Sequence, residues 1–206
     1  MDIRKLDRTA VLETVRILEQ SSPEHWEAPT PCADWNLRDL VAHMAGQHIG
    51  FAAAAAGEGA DLAVWRPAEL GDDPLKTYRA AADAVLDAFA QPGVLTSEFA
   101  LPEISTTTTF PAQVAIGFHF LDYVVHGWDV ARTLGLDPRV DDDIAEAALV
   151  FALRVPDDDR RLGPEAQFEP ALTPAKGAPT LDLALAALGR TPGWTAPAAP
   201  ATSPQH

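Results

Sequence analysis

An acid and an imidazole four residues apart, Asp122 and His126, stand inside the run Phe118-His119-Phe120-Leu121-Asp122-Tyr123-Val124-Val125-His126-Gly127-Trp128-Asp129-Val130-Ala131-Arg132. Proline is missing between Ala112 and Asp137, and the apolar residues recur at helical intervals, so the run reads as one long helix. At roughly 100° per residue the two side chains share a face, one turn apart, with His119 close beside them. A carboxylate and an imidazole so placed form two points of a metal clamp, which needs only one or two ligands from a neighbouring helix. His43, in Asp39-Leu40-Val41-Ala42-His43, supplies the candidate partner. The expectation is a divalent ion held by His43, Asp122 and His126 with at least one coordination position open.

The bland alternative is a surface ion pair worth a few tenths of a kcal/mol. The neighbours argue against it, because Phe118, Phe120, Leu121, Val124, Val125 and Trp128 leave little of that helix for solvent. Buried charge needs a partner, and a cation is one way to provide it. His119, one turn before Asp122, is an alternative fourth ligand, or else a histidine behind the site or at the surface. His48 lies five residues beyond His43, on another face, and is left out of the site. Cys32 sits just before a helix N-terminus, where a thiol pKa falls, although a buried structural cysteine is the plainer reading. Asp129 and Arg132, three apart, are spaced to pair with each other.

The elements that must position these residues follow from patterning. Residues 3–20 form an amphipathic helix stopped by Ser21-Ser22-Pro23. Asn36 with Asp39 makes a capping-box-like start for a second helix over about 37–56, carrying His43. A loop with Trp65 and Pro67 should cover one end of the bundle. Asp73-Pro74 opens a third helix that Gln91-Pro92-Gly93 ends. Thr106-Thr107-Thr108-Thr109 disfavours helix, so residues 94–109 read as a short strand or a loop. Pro111 opens the long fourth helix and Gly135 closes it. Asp141-Asp142-Asp143 starts another helix reaching about Leu153, residues 156–179 read as loop, and a short helix spans 181–188. The whole is all-α: four main helices in a bundle with short additional C-terminal helices, a single domain over 1–194 and a disordered tail over 195–206.

Composition narrows the function. The 206 residues fit one domain at about 150 residues per domain. A 47% hydrophobic share can build a core, while 30 acidic against 15 basic residues give a net charge of -15. That balance argues against nucleic acid and against anionic membrane surfaces. There is neither a basic leader before an apolar run nor a membrane-length apolar stretch, and Cys32 is the sole cysteine. A cytoplasmic protein is expected.

Three stretches, TPCADWNLRDLVAHMAG (30–46), HFLDYVVHGWDVARTLG (119–135) and TLDLALAALGRTPGW (180–194), together resemble one family. It is the actinobacterial metal-binding family of mycothiol-dependent maleylpyruvate isomerase-like proteins, within the DinB-like helical bundles. The resemblance implies a DinB-like four-helix bundle holding zinc or nickel, with His43, Asp122 and His126 at the ligand positions. Those isomerases have Glu where this chain has Asp122, and the shorter acid leaves room for His119 or water. They also carry a further C-terminal domain for which this chain ends too early, so maleylpyruvate itself is not expected as substrate.

The function so implied is a metal-dependent thiol transferase or isomerase that uses mycothiol on a small electrophile through a metal-bound thiolate. The alternative is a non-catalytic metal- or small-ligand-binding bundle, a sensor or partner protein. Arg132 and Arg190 are the candidate groups for an anionic substrate or the thiol cofactor, with Arg190 equally readable as a C-terminal staple. No residue stands out as general base. A homodimer is compatible with this reading.

Overall fold

The computed structural model describes residues 2–32, 35–163 and 166–197. Its helices are α1 (Ile3–Leu18), α2 (Leu37–Ala55), α3 (Pro74–Ala90), α4 (Ala112–Thr133), α5 (Asp142–Ala152) and α6 (Thr180–Ala187). The four-helix bundle expected from periodicity is formed by α1–α4, with α5 and α6 packed together beside it. Of the expected tail, residues 198–206 lie outside the described residues. No described helix is long and apolar enough to cross a membrane.

Local chemistry sets the helix ends. Asp2 caps α1 by accepting from the Arg4 backbone N–H. The capping box at α2 is formed: Asn36 Oδ1 accepts from the Asp39 N–H at 2.9 Å, and Asp39 Oδ2 from the Asn36 N–H at 3.3 Å. Asp73 caps α3 with Pro74 in its first turn. Beyond α4, Gly135 adopts φ +69°, and Leu136 donates back to the Ala131 carbonyl, closing the helix with a left-handed turn.

Between α3 and α4 the structure forms a small antiparallel hairpin, β1 (Glu98–Ala100) with β2 (Thr109–Pro111), pairing Phe99 with Phe110. Three-residue strands are too short to leave an alternation in the sequence, and only Phe99 of the first is buried. The segment with Trp65 lies along α2 instead of capping one end. Ala68 donates to the Ala42 carbonyl at 2.8 Å, and the Trp65 ring covers Gly50, where a Cβ would approach it to 2.3 Å.

The core is continuous through the bundle, and α4 is its axis. It is buried around most of its circumference, with α1 as its main neighbour and α5 on another side. By contrast, α2 packs chiefly on α3 and meets α4 over a short stretch. The loop after α5 is ordered by one buried cation. Arg161 donates to the carbonyls of Val155, Pro156, Glu169 and Ala187.

Candidate metal centre

The short α2–α4 contact is where the three predicted ligands meet. His43 comes from α2, and Asp122 and His126 come from adjacent turns of α4. One donor atom from each lies within 4.8 Å of the others. Two atoms bound to one ion at about 2.0–2.2 Å lie no more than about 4.4 Å apart, so the trio is within about half an ångström of that limit. His126 Nε2 stands 3.3 Å from Asp122 Oδ1, and its ring meets that of His43 edge-on at 5.5 Å. Trp35, 37% exposed, tilts over His43 with ring centres 4.9 Å apart. Among the described residues nothing hydrogen-bonds to the His43 ring.

The other nitrogen of His126 is held from behind. Its Nδ1 donates to Asp129 Oδ2 at 2.9 Å, and Asp129 is fully buried. The same carboxylate accepts from Arg190 Nε at 3.0 Å and Nη2 at 3.2 Å, and from the Cys32 thiol at 3.1 Å. Arg190 Nη2 also reaches Cys32 Sγ at 3.1 Å. What brings Arg190 there is the turn ending α6. Gly189 adopts φ +79°, and Arg190 N–H donates back to the Leu185 carbonyl, turning the next side chain inward.

This arrangement corrects the expected Asp129–Arg132 pair. Arg190, 61 residues away, takes the carboxylate, while Arg132 lies over the Trp128 ring and donates to the Pro192 carbonyl at 2.9 Å. Among the described residues Arg132 makes no hydrogen bond or ion pair with the three-residue cluster. The helix-start position of Cys32 does not lower its thiol pKa. Burial raises it, the Asp129 charge adds to that, and His126 and Arg190 only partly offset them. Nor does His119 join the ligands. It is fully buried between Asp7 and His48, on the same face of α4 but two turns away from His126.

Electrostatics divides the two histidines. Burial, aided by the charge on His126, brings His43 down to about 4 despite Asp122 nearby, so its ring is neutral at pH 7. Burial also opposes charge on His126. The Asp122 carboxylate outweighs it through charge and hydrogen bonding, with further bonds to Asp129 and Cys32, and holds His126 well above its ordinary value. Asp122 in turn, although burial would raise it, is kept at about 2, mainly by the His126 charge. The proton on His126 Nε2 therefore occupies the direction from which His43 and Asp122 face it, the place a cation would take.

The donor set could hold a divalent transition-metal ion: two imidazoles, one neutral and one braced through its far nitrogen, and an ionised carboxylate. The family model of the mycothiol maleylpyruvate isomerase N-terminal domain matches residues 8–131. The chain belongs to that family. Its matched region contains all three cluster residues together with Cys32 and Asp129, and it stops short of Arg190.

Two family relatives, uncharacterised proteins from two strains of Mycobacterium tuberculosis, are each 31% identical over 165 residues, covering 79% of this chain and 84% of theirs. Among solved structures, the mycothiol-dependent maleylpyruvate isomerase superposes with a TM-score of 0.54 at 15% identity, over 73% of this chain and 66% of that one. A histidine-to-alanine mutant of the same isomerase gives the same TM-score at 14% identity. These likenesses establish the helical fold. The chain spans just under two thirds of the isomerase's length.

Proposed function

We propose that this protein is a metal-dependent thiol transferase or isomerase that uses mycothiol on a small electrophilic substrate. The observation carrying this reading is the convergence of His43, Asp122 and His126, with Asp129 braced behind His126, in a member of a mycothiol isomerase family. A divalent ion bound there, zinc or nickel, would supply an open Lewis-acidic position at which a thiol loses its proton near neutral pH.

The chain's own residues then have distinct tasks. His43 offers a neutral nitrogen, Asp122 offers negative charge, and Asp129 fixes the His126 ring so that Nε2 faces the other two. Trp35 stands at the exposed side of His43 and limits water there. Arg190 reaches the cluster through Asp129 with Nη1 unused in those bonds, the place for an anionic group of the thiol or substrate. Arg132 holds the Pro192 carbonyl, two residues beyond Arg190, and would act on the site only through that segment. Addition of the thiol to an activated alkene forms a C–S bond and puts a proton on the adjacent carbon. Isomerisation follows when that addition reverses after rotation, regenerating the thiol.

The test is direct. Purified protein loaded with zinc or nickel is incubated with mycothiol and activated alkenes, and the thiol adduct is followed by mass spectrometry. A metal-dependent adduct that His126→Ala abolishes is expected. Tight metal binding without turnover on any of several electrophiles would replace this reading with the non-catalytic metal-binding bundle.

The proton on His126 makes a separate prediction. Metal entry must displace it, and His126 is held above its ordinary value while His43, at about 4, is already neutral. A single proton then competes, so apparent Co²⁺ affinity should rise about tenfold per pH unit between about pH 5.5 and 7.5. Competition against a chromophoric chelator measures the slope, and a flat profile would contradict the assignment of His126.

A further inference from the structure

A second cluster of polar groups lies in the core, away from the candidate ligands and unused by the proposed chemistry. Asp7 on α1, His119 on α4 and His48 on α2 are all fully buried. His119 Nδ1 donates to Asp7 Oδ1 at 2.5 Å, and His119 Nε2 lies 3.1 Å from His48 Nδ1. The His48 ring stacks on Tyr123, with centres 4.0 Å apart and planes 11° from parallel. Tyr123 itself donates its hydroxyl to the Met44 carbonyl, in the residue after His43. Phe51 and Phe89 close the edges of His119.

We infer that the Asp7–His119–His48 relay is the positioning device of the metal centre, fixing how α4 presents Asp122 and His126 to His43 on α2. This rests on the function proposed above for those three residues. The helices themselves leave the separation weakly determined, since α2 packs mainly on α3 and α4 mainly on α1. The pairings 43 with 126 and 48 with 119 run in opposite chain directions, so α2 and α4 are antiparallel where they meet. Five residues of α2 and seven of α4 separate the relay from the ligand pair, about 8–10 Å along the axes at 1.5 Å per residue.

Apolar contacts tolerate a slide or a small rotation of one helix over another. A hydrogen-bonded chain through three buried side chains does not, because any other register leaves polar atoms unpaired in the core. Asp7 anchors the chain to α1, the main neighbour of α4. His48 carries it to α2, one turn or so past His43. The stacked Tyr123, next to Asp122, ties the ligand-bearing turn to the backbone of Met44. Ligand geometry of this kind loses function on displacements of about an ångström. His48 Nε2 and Asp7 Oδ2 have no hydrogen-bond partner among the described residues. The relay therefore leaves two buried atoms unpaired, a cost that a purely structural core would avoid by using apolar side chains.

The experiment cuts the relay at either end with His48→Leu or Asp7→Leu, repairs it with His48→Asn, and uses Thr14→Val as control. His48→Leu removes an unpaired atom along with the bond, and Asn returns a donor near the Nδ1 position. Thr14→Val deletes an equally buried bond, 2.5 Å to the Tyr78 hydroxyl, that ties α1 to α3 and not to α4.

Co²⁺ affinity with its visible absorption, and the ring signals of His43 and His126 in long-range ¹H–¹⁵N spectra of metal-free protein, are the readouts. The cut proteins should bind Co²⁺ at least about tenfold more weakly with an altered spectrum, and their His43 and His126 ring signals should move. His48→Asn should return both to the parent. Thr14→Val should lower the melting temperature and leave both alone. A cut protein that keeps parental affinity within about twofold and unmoved ring signals overturns the inference, as does a Thr14→Val protein changed as much as the cuts. If one cut does not fold, the other is read. A parent that takes up no Co²⁺ ends the metal reading alone, and the metal-free ring signals then decide the relay.

Discussion

His126→Ala should reduce bound divalent metal from one per chain to almost none, with affinity falling by about a thousandfold or more, roughly 4 kcal/mol. The size follows from what the side chain does. It is one of the three candidate donors among the described residues, and of the two histidines its ring alone is oriented by a second carboxylate, Asp129. His43→Ala should remove metal as well, with a smaller effect on the fold, because His43 has no hydrogen bond among the described residues to lose. Equilibrium dialysis with metal analysis separates the cases; an unchanged stoichiometry in His126→Ala would remove the site. In metal-free protein the histidine acts differently. Its folded pKa is raised above the unfolded value near 6.5, so its stabilisation is complete below about 6.5 and is lost as pH rises through the folded value. The stability gap between parent and His126→Ala should therefore be wider at pH 6 than at high pH.

The convergence of His43, Asp122 and His126 was legible because helical spacing fixes faces. Asp122 and His126 needed only the 3.6-residue period, and His43 needed only its place on a second capped helix of a bundle. The pairing of Asp129 was not legible. A three-residue spacing makes Arg132 look like the partner, whereas the actual one arrives from beyond α6 through a turn that Gly189 permits. Local spacing says nothing about a guanidinium 61 positions on. The relay left a fainter trace. Asp7 and Thr14 fall within the apolar stripe of α1, alongside Leu6, Ala10, Val11, Ile17 and Leu18, and all are buried. A polar residue on such a stripe signals a buried hydrogen bond, but its partners lie more than 60 residues away on α3 and α4. His48 also turns toward α4, where it meets His119 3.1 Å away, a pairing that its five-residue offset from His43 does not reveal.

Asp129→Asn tests the carboxylate behind His126, and its effect on stability should exceed that of replacing any one of the three candidate ligands. The carboxylate is fully buried and takes hydrogen bonds from His126, Arg190 and Cys32. Burial alone would raise its pKa, yet the Arg190 charge and the His126 hydrogen bond hold it below the ordinary value, so the ionised form is the native one. The amide removes the negative charge and leaves the Arg190 guanidinium, itself almost buried, with Cys32 Sγ and one amide oxygen. Breaking one side of a buried pair costs about 3–5 kcal/mol, readable as a lower urea midpoint. Metal affinity should drop about 10–100-fold, the usual consequence of losing the carboxylate behind a ligating histidine. Removing both charges discriminates between electrostatic and purely steric causes. If the penalty is the stranded cation, Asp129→Asn combined with Arg190→Met should be more stable than Asp129→Asn alone, a non-additivity of 0.5–3 kcal/mol in magnitude for contacting residues. Metal affinity should stay low in the double variant, because His126 Nδ1 still lacks its carboxylate. Recovery of stability without recovery of binding would separate the two tasks of this one side chain, holding the segment after α6 and aiming the histidine.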